Sequence, residues 1–411
     1  MVSQGQRALP AHATVFSGPD VWMETEGIEQ LARVAALPGC VRAEGMPDLH
    51  PGRGFPIGAV AATQGVVYPH LVGGDAGCGA RAVVTDLERV SPDRLERRLR
   101  AAFEAPLLEE ANPAELFERV WFEGARGLAA VDGLPEGLRE LAAREAVDTL
   151  PESGGPERLR AGFESALGTI GGGNHFAEVS RVTSVVDAAA AATVGLRRNL
   201  VVALVHSGSR GLGAALARMW GTTALTDVEA PRYLGELAGA CRFAQANRLV
   251  LSYRVLTALG ALRETARGGA FDIVHNDVRR EDRDGASVWV HRKGAAPAPT
   301  GALTVVLGSR GAPSWIMRGL GPAGTLSSVA HGAGRRMGRS EAREKVRARY
   351  RKSELERYPA TGGRTLCDDT DLLYEEHPDA YKPIEPIIRA LETAALATRV
   401  AALTPIVTVK L

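Results

Sequence analysis

A glycine-rich loop at residues 74–79 constrains this chain more than any other stretch. It reads Gly-Asp-Ala-Gly-Cys-Gly, and Gly73 precedes it. Glycine adopts dihedrals closed to other residues and lets a ligand approach the main chain, so the loop can point Asp75 and Cys78 at one metal ion. Glycine clusters also mark ordinary turns, and a lone cysteine is usually a small buried hydrophobe. Two donors do not complete a ligand set, so the fold has to bring others from elsewhere.

Composition limits the classes of protein to consider. Apolar residues make up 45% of the 411, which is enough for a globular core. The net charge of +1 excludes a generally basic protein, so contact with nucleic acid requires a local patch. The four cysteines are widely spaced without a Cys-x-x-Cys pair, which favours a reducing cytoplasm over a disulfide framework. No run approaches the roughly 20 apolar residues of a spanning helix, so we expect no membrane contact.

Four histidines in similar settings are candidates for the further donors. The chain has nine histidines, and these four lie in glycine- or serine-rich segments or directly after a predicted strand. One such histidine is usually structural, but four of them together with Asp75 and Cys78 favour a metal site. Thiolate, imidazole and carboxylate ligands suit manganese or zinc, and the spacing leaves open one ion or two. The four are His175, His206, His275 and His331.

Glycine-rich segments near these histidines form candidate anion sites. They expose backbone N–H groups beside Arg210, Arg310 and Arg335. No Gly-x-x-x-x-Gly-Lys-Ser/Thr motif occurs, which argues against a conventional ATPase. A metal site with phosphate pockets indicates phosphoester hydrolysis or nucleotidyl transfer. The segments are residues 171–173, 207–211, 308–311 and 332–334.

The other segments predict the scaffold. Periodicity predicts helices at residues 21–35, 92–164 and 233–263, and short strands at residues 80–86, 199–205, 271–274, 288–291 and 303–307. Residues 46–60 read as a Pro/Gly-rich loop that holds Asp48, His50 and Arg53. No repeat or linker interrupts the chain. We therefore expect one compact domain with strands converging on a central cleft.

A basic stretch at residues 335–352 follows His331. It contains nine arginines and lysines against Glu341 and Glu344. Such charge runs are usually solvated helix faces. The position next to His331 also favours a surface that contacts the phosphate backbone of RNA.

At this point the ordered motifs resemble those of a known family. Gly-Asp-x-Gly-Cys-Gly, Gly-Gly-Gly-Asn-His-Phe-x-Glu, His-Ser-Gly-Ser-Arg-Gly-Leu-Gly, His-Asn, His-Arg-Lys-Gly-Ala, Gly-Ser-Arg-Gly and Ala-His-Gly-Ala-Gly-Arg resemble the RtcB-type RNA ligases. The resemblance runs from about residue 46 to the C-terminus. His-Arg-Lys-Gly-Ala-Ala-Pro and Leu-Leu-Tyr-Glu-Glu-His-Pro-Asp-Ala-Tyr-Lys are similar to the release-factor-H-coupled branch, which implies a release-factor-like or activating protein partner.

The resemblance implies a fold and a reaction. The fold is α+β, a single compact RtcB-like domain over residues 1–411 with mixed β-sheets around a central metal-binding cleft and a helical segment at about residues 92–164. The activity is a GTP- and manganese-dependent RNA ligase of the cytoplasm, acting in RNA repair or tRNA splicing. It joins a 2',3'-cyclic phosphate or 3'-phosphate end of RNA to a 5'-hydroxyl end.

The resemblance also implies a role for each matching residue. His331 is the nucleophile that forms a covalent guanylyl-histidine. Two manganese ions are held by Asp75, Cys78, His175, His206 and His275. The guanylate is held by Asn174, Glu178, Ser309, Ser314, Tyr381 and Lys410. RNA or phosphate is bound by Arg210, Asn276 and Arg335.

Two other functions remain open from the residues alone. A metal-dependent phosphoesterase acting on RNA 2',3'-cyclic phosphate ends needs the metal ligands but not His331. A subunit that only binds RNA ends needs the basic stretch at residues 335–352 and no catalysis.

Overall fold

The computed structural model describes residues 9–155, 159–160, 166–262, 269–358 and 362–411. Its α-helices are α1 (Thr25–Ala35), α2 (Pro92–Glu104), α3 (Pro113–Glu123), α4 (Glu136–Ala143), α5 (Ala188–Ala192), α6 (Gly211–Trp220), α7 (Ala230–Leu259), α8 (Arg339–Arg349), α9 (Lys352–Leu355), α10 (Thr370–Glu375) and α11 (Ile384–Thr393). Short 3-10 helices lie at Pro69–Leu71, Gly124–Ala130 and Pro378–Ala380. Among the described helices, none is both long and apolar enough to cross a lipid bilayer.

The strands form mixed sheets, which confirms the α+β prediction of a single compact domain. In chain order they are β1 (Ala13–Val15), β2 (Cys40–His50), β3 (Ile57–Thr63), β4 (Val66–Val67), β5 (Gly79–Val84), β6 (Phe176–Val185), β7 (Val201–Ser207), β8 (Leu225–Thr226), β9 (Ala270–Val274), β10 (Asn276–Arg283), β11 (Ala286–Lys293), β12 (Ala295–Pro297), β13 (Leu303–Val306), β14 (Ser314–Gly319), β15 (Ser328–Ala330), β16 (Arg357–Tyr358), β17 (Gly363–Leu366) and β18 (Ala397–Val409).

The large sheet brings four strand ends to one edge. Its order is β13-β14-β18-β6-β7-β5-β9, with β17 and β16 attached beside β18. β7 pairs antiparallel with both β5 and β6, and β9 pairs antiparallel with β5. The starts of β5 and β6 therefore lie at the same edge as the ends of β7 and β9. Cys78 directly precedes β5, and His175 directly precedes β6. His206 is the second-last residue of β7, and His275 directly follows β9.

A second sheet contributes residues to the same place. Its order is β1-β2-β3-β11-β10, and two-stranded ladders join β12 to β15 and β4 to β8. His275 is the one residue between β9 of the large sheet and β10 of the second sheet. The chain therefore passes from one sheet to the other at this histidine. Asp48 and His50 lie at the end of β2 in the second sheet.

The long helix α7 forms the centre of the largest hydrophobic core. Nearly all of its residues are buried, and it packs against β5, β6 and β7 as well as α2 and α3. The predicted helix at residues 233–263 is this element, although residue 263 lies outside the described residues. The predicted helical segment at residues 92–164 corresponds to α2, α3 and α4 and ends at Ala143. Residues 156–158 and 161–165 of that prediction lie outside the described residues.

The prediction of a loop over residues 46–60 is wrong at both ends. β2 continues to His50 and β3 begins at Ile57, so the loop between them is short. The pairing of β2 with β3 shifts register between Gly45 and His50. Pro47 lies in this irregular part, where its missing N–H removes no ladder hydrogen bond. The proline and glycine content therefore marks the irregular end of β2 together with the short loop at residues 51–56.

Candidate metal and nucleotide-binding site

Five candidate metal ligands lie close together in the structure. The donor atoms of Cys78, His175 and His206 are all within 4.8 Å of one another. The Cys78 Sγ atom lies 3.3 Å from His175 Nε2, 3.4 Å from His206 Nε2 and 3.3 Å from His275 Nε2. The Asp75 carboxylate adds a fifth donor, 2.9 Å from His175 Nε2. Cys78 is therefore the shared centre of the group.

These separations fit a metal ion. Ligands at about 2.0–2.3 Å from a tetrahedral ion are roughly 3.3–3.8 Å apart, which is the spacing of the sulfur and imidazole nitrogens here. The Nε2 atoms of His206 and His275, which both face Cys78, also lie only 3.3 Å apart. Imidazole, thiolate and carboxylate are all ligands of manganese and zinc. The cluster of cysteine and histidine side chains therefore indicates a metal site.

A buried arginine of α7 holds the strand ends that carry the ligands. Arg248 donates hydrogen bonds of 2.8 Å to the carbonyls of Gly77 and Ser207, and its guanidinium lies 2.6 Å from the Asp272 carboxylate. These partners belong to the Cys78 loop, to the end of β7 and to β9. Gly77 has a φ of +73°, and a Cβ atom there would lie 2.8 Å from the Cα of Cys241. Only glycine fits this close packing of the loop on α7.

The electrostatics of the cluster suit metal ligands. Burial lowers the pKa of both His206 and His275 well below the ordinary value, so both imidazoles are neutral, as metal ligands must be. Burial, followed by the charge of Asp75, raises the pKa of the Cys78 thiol. A bound divalent cation reverses that effect, because its charge stabilises the thiolate. Burial also raises the pKa of Asp75, but the charge and hydrogen bond of His175 outweigh it and the net direction is down.

His331 lies beside this cluster but has a different partner. Its ring centroid is 4.9 Å from that of His275, and both residues are buried. Its Nδ1 atom lies 2.7 Å from the Oδ2 atom of Asp48. Gly334, with a φ of +72°, lets the loop after His331 wrap this pair, since a Cβ there would lie 2.4 Å from the Asp48 carbonyl oxygen. An ionised Asp48 only accepts hydrogen bonds, so it holds a proton on Nδ1 and leaves Nε2 with a free lone pair.

A cavity next to His331 encloses roughly 850 Å³, including its open mouth. The structure brings to its wall five of the six predicted guanylate residues together with His206, His331 and Arg335. The five are Asn174, Glu178, Ser309, Tyr381 and Lys410. The sixth, Ser314, lies behind the wall, where its hydroxyl accepts a 3.0 Å hydrogen bond from the Gly308 N–H.

Glu178 and Lys410 are two buried, ionisable residues of the cavity wall. The two carboxyl oxygens of Glu178 accept hydrogen bonds from Ser180, at 2.7 Å, and from Thr408, at 2.6 Å. Burial raises the pKa of Glu178 to about 7. The Lys410 ammonium donates 2.7 Å hydrogen bonds to the carbonyls of Gly173 and His175, and burial lowers its pKa to about 8. These two groups offer an acceptor and a donor to a bound ligand.

The three residues predicted to bind RNA or phosphate are not grouped together. Arg210 lies on the metal side, with a guanidinium nitrogen 3.4 Å from His175 Nδ1. Asn276 donates to the Asp75 carbonyl at 3.0 Å and accepts from the Gly294 N–H at 2.7 Å, so it supports the metal loop. Arg335 lines the cavity and donates hydrogen bonds to Glu376, at 2.9 Å, and to Tyr381, at 3.1 Å.

The basic stretch at residues 335–352 is largely paired with acidic residues. Its helix α8 packs beside α10, where Arg343 and Arg347 form ion pairs of 3.0 and 2.6 Å with Asp371. Lys345 pairs with Glu341 on α8 itself. These contacts favour the solvated-face interpretation over a dedicated RNA surface for this helix.

The sequence analysis gave no role to several residues of the site. Asp48 and His50 were noted only as part of a supposed loop, yet Asp48 is the hydrogen-bond partner of His331. The unusual proline and glycine content around them was the available signal. Arg339 and Glu376 also line the cavity wall. Arg339 was noted only as part of the basic stretch, and Glu376 only as part of the Leu-Leu-Tyr-Glu-Glu-His-Pro-Asp-Ala-Tyr-Lys motif.

Comparison with known proteins adds independent information. A family model described as "tRNA-splicing ligase RtcB" matches residues 30–411. The chain is 34% identical to an RNA-splicing ligase RtcB2 of Escherichia coli over 99% of this chain and 98% of that protein. It is 31% identical to a tRNA-splicing ligase RtcB of Pyrobaculum aerophilum, over 93% of this chain and 90% of that protein. It is also 31% identical to an RNA-splicing ligase RtcB of Mycobacterium tuberculosis, over 93% of this chain and all of that protein.

Proposed function

Because this chain belongs to the RtcB family of RNA ligases, we propose that it is a GTP-dependent ligase for RNA 3'-phosphate and 5'-hydroxyl ends. A 2',3'-cyclic phosphate end is also a substrate, once water has opened it to a 3'-phosphate. The whole of residues 1–411 acts as one ligase domain, in the cytoplasm, in RNA repair or tRNA splicing. A release-factor-like or activating protein partner belongs to the same proposal.

One observation carries the proposal. His331 is held at Nδ1 by Asp48, lines the cavity that the candidate guanylate residues also line, and lies beside the metal-ligand cluster. A neutral imidazole with a fixed proton on one nitrogen is a nucleophile at the other. A phosphoesterase that needs only metal ions has no use for a histidine outside the metal-ligand cluster that is oriented by its own carboxylate.

In the first step, Nε2 of His331 attacks the α-phosphorus of GTP. A nitrogen–phosphorus bond forms, the bond to the bridging oxygen breaks, and pyrophosphate leaves. Asp48 keeps the proton on Nδ1 and stabilises the positive charge that develops on the ring. Glu178 and Lys410 hold the guanylate, with Asn174, Ser309 and Tyr381 along the same wall, and Ser314 supports the loop that carries Ser309.

In the second step, an oxygen of the RNA 3'-phosphate attacks the guanylyl phosphorus and releases His331. In the third step, the 5'-hydroxyl oxygen attacks the activated 3'-phosphorus, and GMP leaves with the bonding electron pair. Arg210, Asn276 and Arg335 orient the RNA phosphate and the residues around it. Two Mn²⁺ ions held by Asp75, Cys78, His175, His206 and His275 would supply positive charge that offsets the negative charge on the reacting phosphates.

The test is a sealing assay with two synthetic RNA strands, one ending in a 2',3'-cyclic phosphate and the other beginning with a 5'-hydroxyl. The purified chain is expected to join them only when both GTP and manganese are present. His331→Ala is expected to join none while it still opens the cyclic phosphate. Opening of the cyclic phosphate by wild type at full rate without GTP, and no sealing with it, would favour the phosphoesterase. RNA binding with neither reaction would favour an RNA-end-binding subunit.

A further inference from the structure

Lys382 contacts the main chain on both sides of the Asp48–His331 pair. Its side chain is buried, and its Nζ atom donates hydrogen bonds to the carbonyls of Leu49, at 2.8 Å, and Pro47, at 3.2 Å. These two carbonyls flank Asp48. The backbone N–H of Lys382 donates a 2.9 Å hydrogen bond to the Gly334 carbonyl, in the loop that follows His331. One residue thus joins the strand of Asp48 to the loop of His331.

The charge of Asp48 needs compensation that His331 alone does not provide. The Asp48 side chain is fully buried. Its Oδ2 atom contacts His331, but its Oδ1 atom has no hydrogen-bond partner among the residues that the structure describes. Burying a carboxylate without a counter-charge is unfavourable, because burial penalises the charged form. Within the described ranges, no arginine or lysine forms a direct ion pair with Asp48.

Lys382 supplies a positive charge close to this carboxylate. Burial lowers the pKa of Lys382 to about 8, while the charges of Asp48 and Glu24 oppose that shift. The ammonium group therefore remains protonated near neutral pH. The Nζ atom hydrogen-bonds to the carbonyls on either side of Asp48 and not to its carboxylate. Lys382 therefore has two separable effects: its hydrogen bonds fix the backbone, and its charge acts on the carboxylate from a distance.

We propose that Lys382 is a positioning residue for His331, acting through Asp48. Its hydrogen bonds fix the main chain on both sides of Asp48, and its positive charge interacts favourably with the Asp48 carboxylate. An ionised Asp48 accepts the Nδ1 proton of His331, which leaves the Nε2 lone pair facing the cavity. If Asp48 is protonated, it can donate to Nδ1 instead, and the nucleophilic lone pair at Nε2 is lost. The catalytic consequence rests on the proposed function, whereas the tautomer of His331 is a property of the protein alone.

Lys382 does not act by touching the nucleotide. It is absent from the wall of the cavity beside His331 and instead lines a separate surface pocket with Trp22, Arg336 and Pro383. Its side chain and that of the adjacent Tyr381 therefore reach different pockets. Loss of Lys382 is expected to change the rate of guanylyl transfer to His331 and not the affinity for GTP.

The first readout is the tautomer of His331 in the full chain, loaded with diamagnetic zinc. Nitrogen-15 NMR of labelled histidines distinguishes a proton on Nδ1 from one on Nε2, and His331→Ala assigns the signal. Wild type and Lys382→Arg are expected to show the Nδ1-protonated form. Lys382→Met is expected to shift His331 toward the other form. Lys345→Met is the control for loss of a lysine charge, because Lys345 pairs with Glu341 on α8 and contacts neither Asp48 nor His331. Its His331 signal is expected to match wild type.

The second readout is the rate of self-guanylylation at saturating GTP, with GTP affinity measured separately. Lys382→Met is expected to be about 10- to 100-fold slower with unchanged GTP affinity, and Lys382→Arg to recover most of the rate. If Lys382→Met does not fold, as judged by its thermal melt, Lys382→Gln replaces it. Glutamine keeps a hydrogen-bond donor without the charge, and the same shift in the His331 signal is expected.

Three results overturn the inference. The first is a His331 signal identical to that of wild type in folded Lys382→Met, or in Lys382→Gln where that variant replaces it. The second is a wild-type rate of guanylylation in that variant. The third is a fall in GTP affinity that accounts for the whole loss of rate, since Lys382 would then act on the nucleotide. If wild type itself is never guanylylated, the proposed function fails, and the NMR comparison still decides whether Lys382 sets the tautomer of His331.

Discussion

The metal-ligand cluster and the His331–Asp48 pair are neighbours that are built in different ways. The cluster draws four of its five residues from the ends of adjacent strands in one sheet, and Cys78 contacts three imidazoles at once. The pair joins a residue at the end of β2 to one that follows β15, and it depends on one hydrogen bond of 2.7 Å. The difference implies that metal binding and nucleophile activation are separable, although they serve one reaction.

The largest expected effect is on the cluster. Cys78→Ala removes the atom that all three histidines approach, so the chain is expected to lose its bound metal and to show no detectable guanylylation or sealing. Elemental analysis of the purified variant measures the metal content. Cys78→Ser tests the thiolate itself: a serine variant with full metal content, guanylylation and sealing would contradict the role given to the sulfur.

The next largest effect is expected for the His331–Asp48 pair. A substitution there is expected to slow guanylylation without changing metal binding by the cluster. Asp48→Asn keeps the size of the side chain, but its amide can donate to Nδ1 of His331 and favour the wrong tautomer. Guanylylation is expected to fall by up to about 10⁴-fold, by analogy with the same change in a serine protease triad. Metal content is expected to match wild type. Loss of metal in this variant would show that the two regions are one structural unit.

The metal cluster could be predicted from the sequence to a large extent. Four of its five ligands lie within a residue of a strand end, and Asp75 lies in the glycine-rich loop before β5. Local pattern and residue type therefore indicated these residues as candidates, together with His331, which the structure pairs with Asp48 instead. The pairing of β5, β6, β7 and β9 then brings together ligands as distant in the chain as Cys78 and His275. Residues that the resemblance implied for the guanylate also line one cavity, except Ser314.

The partner of His331 could not be predicted in this way. Asp48 is 283 residues away from His331 in the chain, and its strand contains Gly45 and Pro47 and leads into a Pro/Gly-rich loop, so the stretch resembles a loop. The bulge that allows proline there depends on how β2 pairs with β3. Lys382 is similar, because its importance comes from two carbonyl groups more than 300 residues away. Such contacts depend on tertiary structure, which no local pattern encodes.

A moderate effect of pH on GTP affinity is expected because of Glu178. Because burial raises the pKa of Glu178 to about 7, this carboxyl group is ionised above that pH and protonated below it. Under the proposed function the ionised form accepts hydrogen bonds from a guanine edge, so GTP affinity is expected to fall by about tenfold as pH drops from about 8 to about 6. Glu178→Gln is expected to bind weakly and without this titration. An identical pH profile in the two proteins would assign the titration to another group.

The smallest effect is expected at α8. Arg347 is paired with Asp371, so Arg347→Ala is expected to change sealing by less than about twofold, as for other exposed ion pairs. Its RNA affinity is expected to depend on salt as in wild type. A reduced slope of RNA affinity against salt concentration, with slower sealing, would instead show that α8 contacts the RNA backbone.

The central claim is that His331 forms the covalent bond to the guanylyl group while the neighbouring cluster only supports it. The most direct measurement is to incubate the manganese-loaded chain with GTP labelled on its α-phosphate and to map the labelled peptide by mass spectrometry. The expected result is a label on His331 in wild type, and none on His331→Ala although that variant retains its metal. A label on any other residue, or equal labelling of His331→Ala, would contradict the claim.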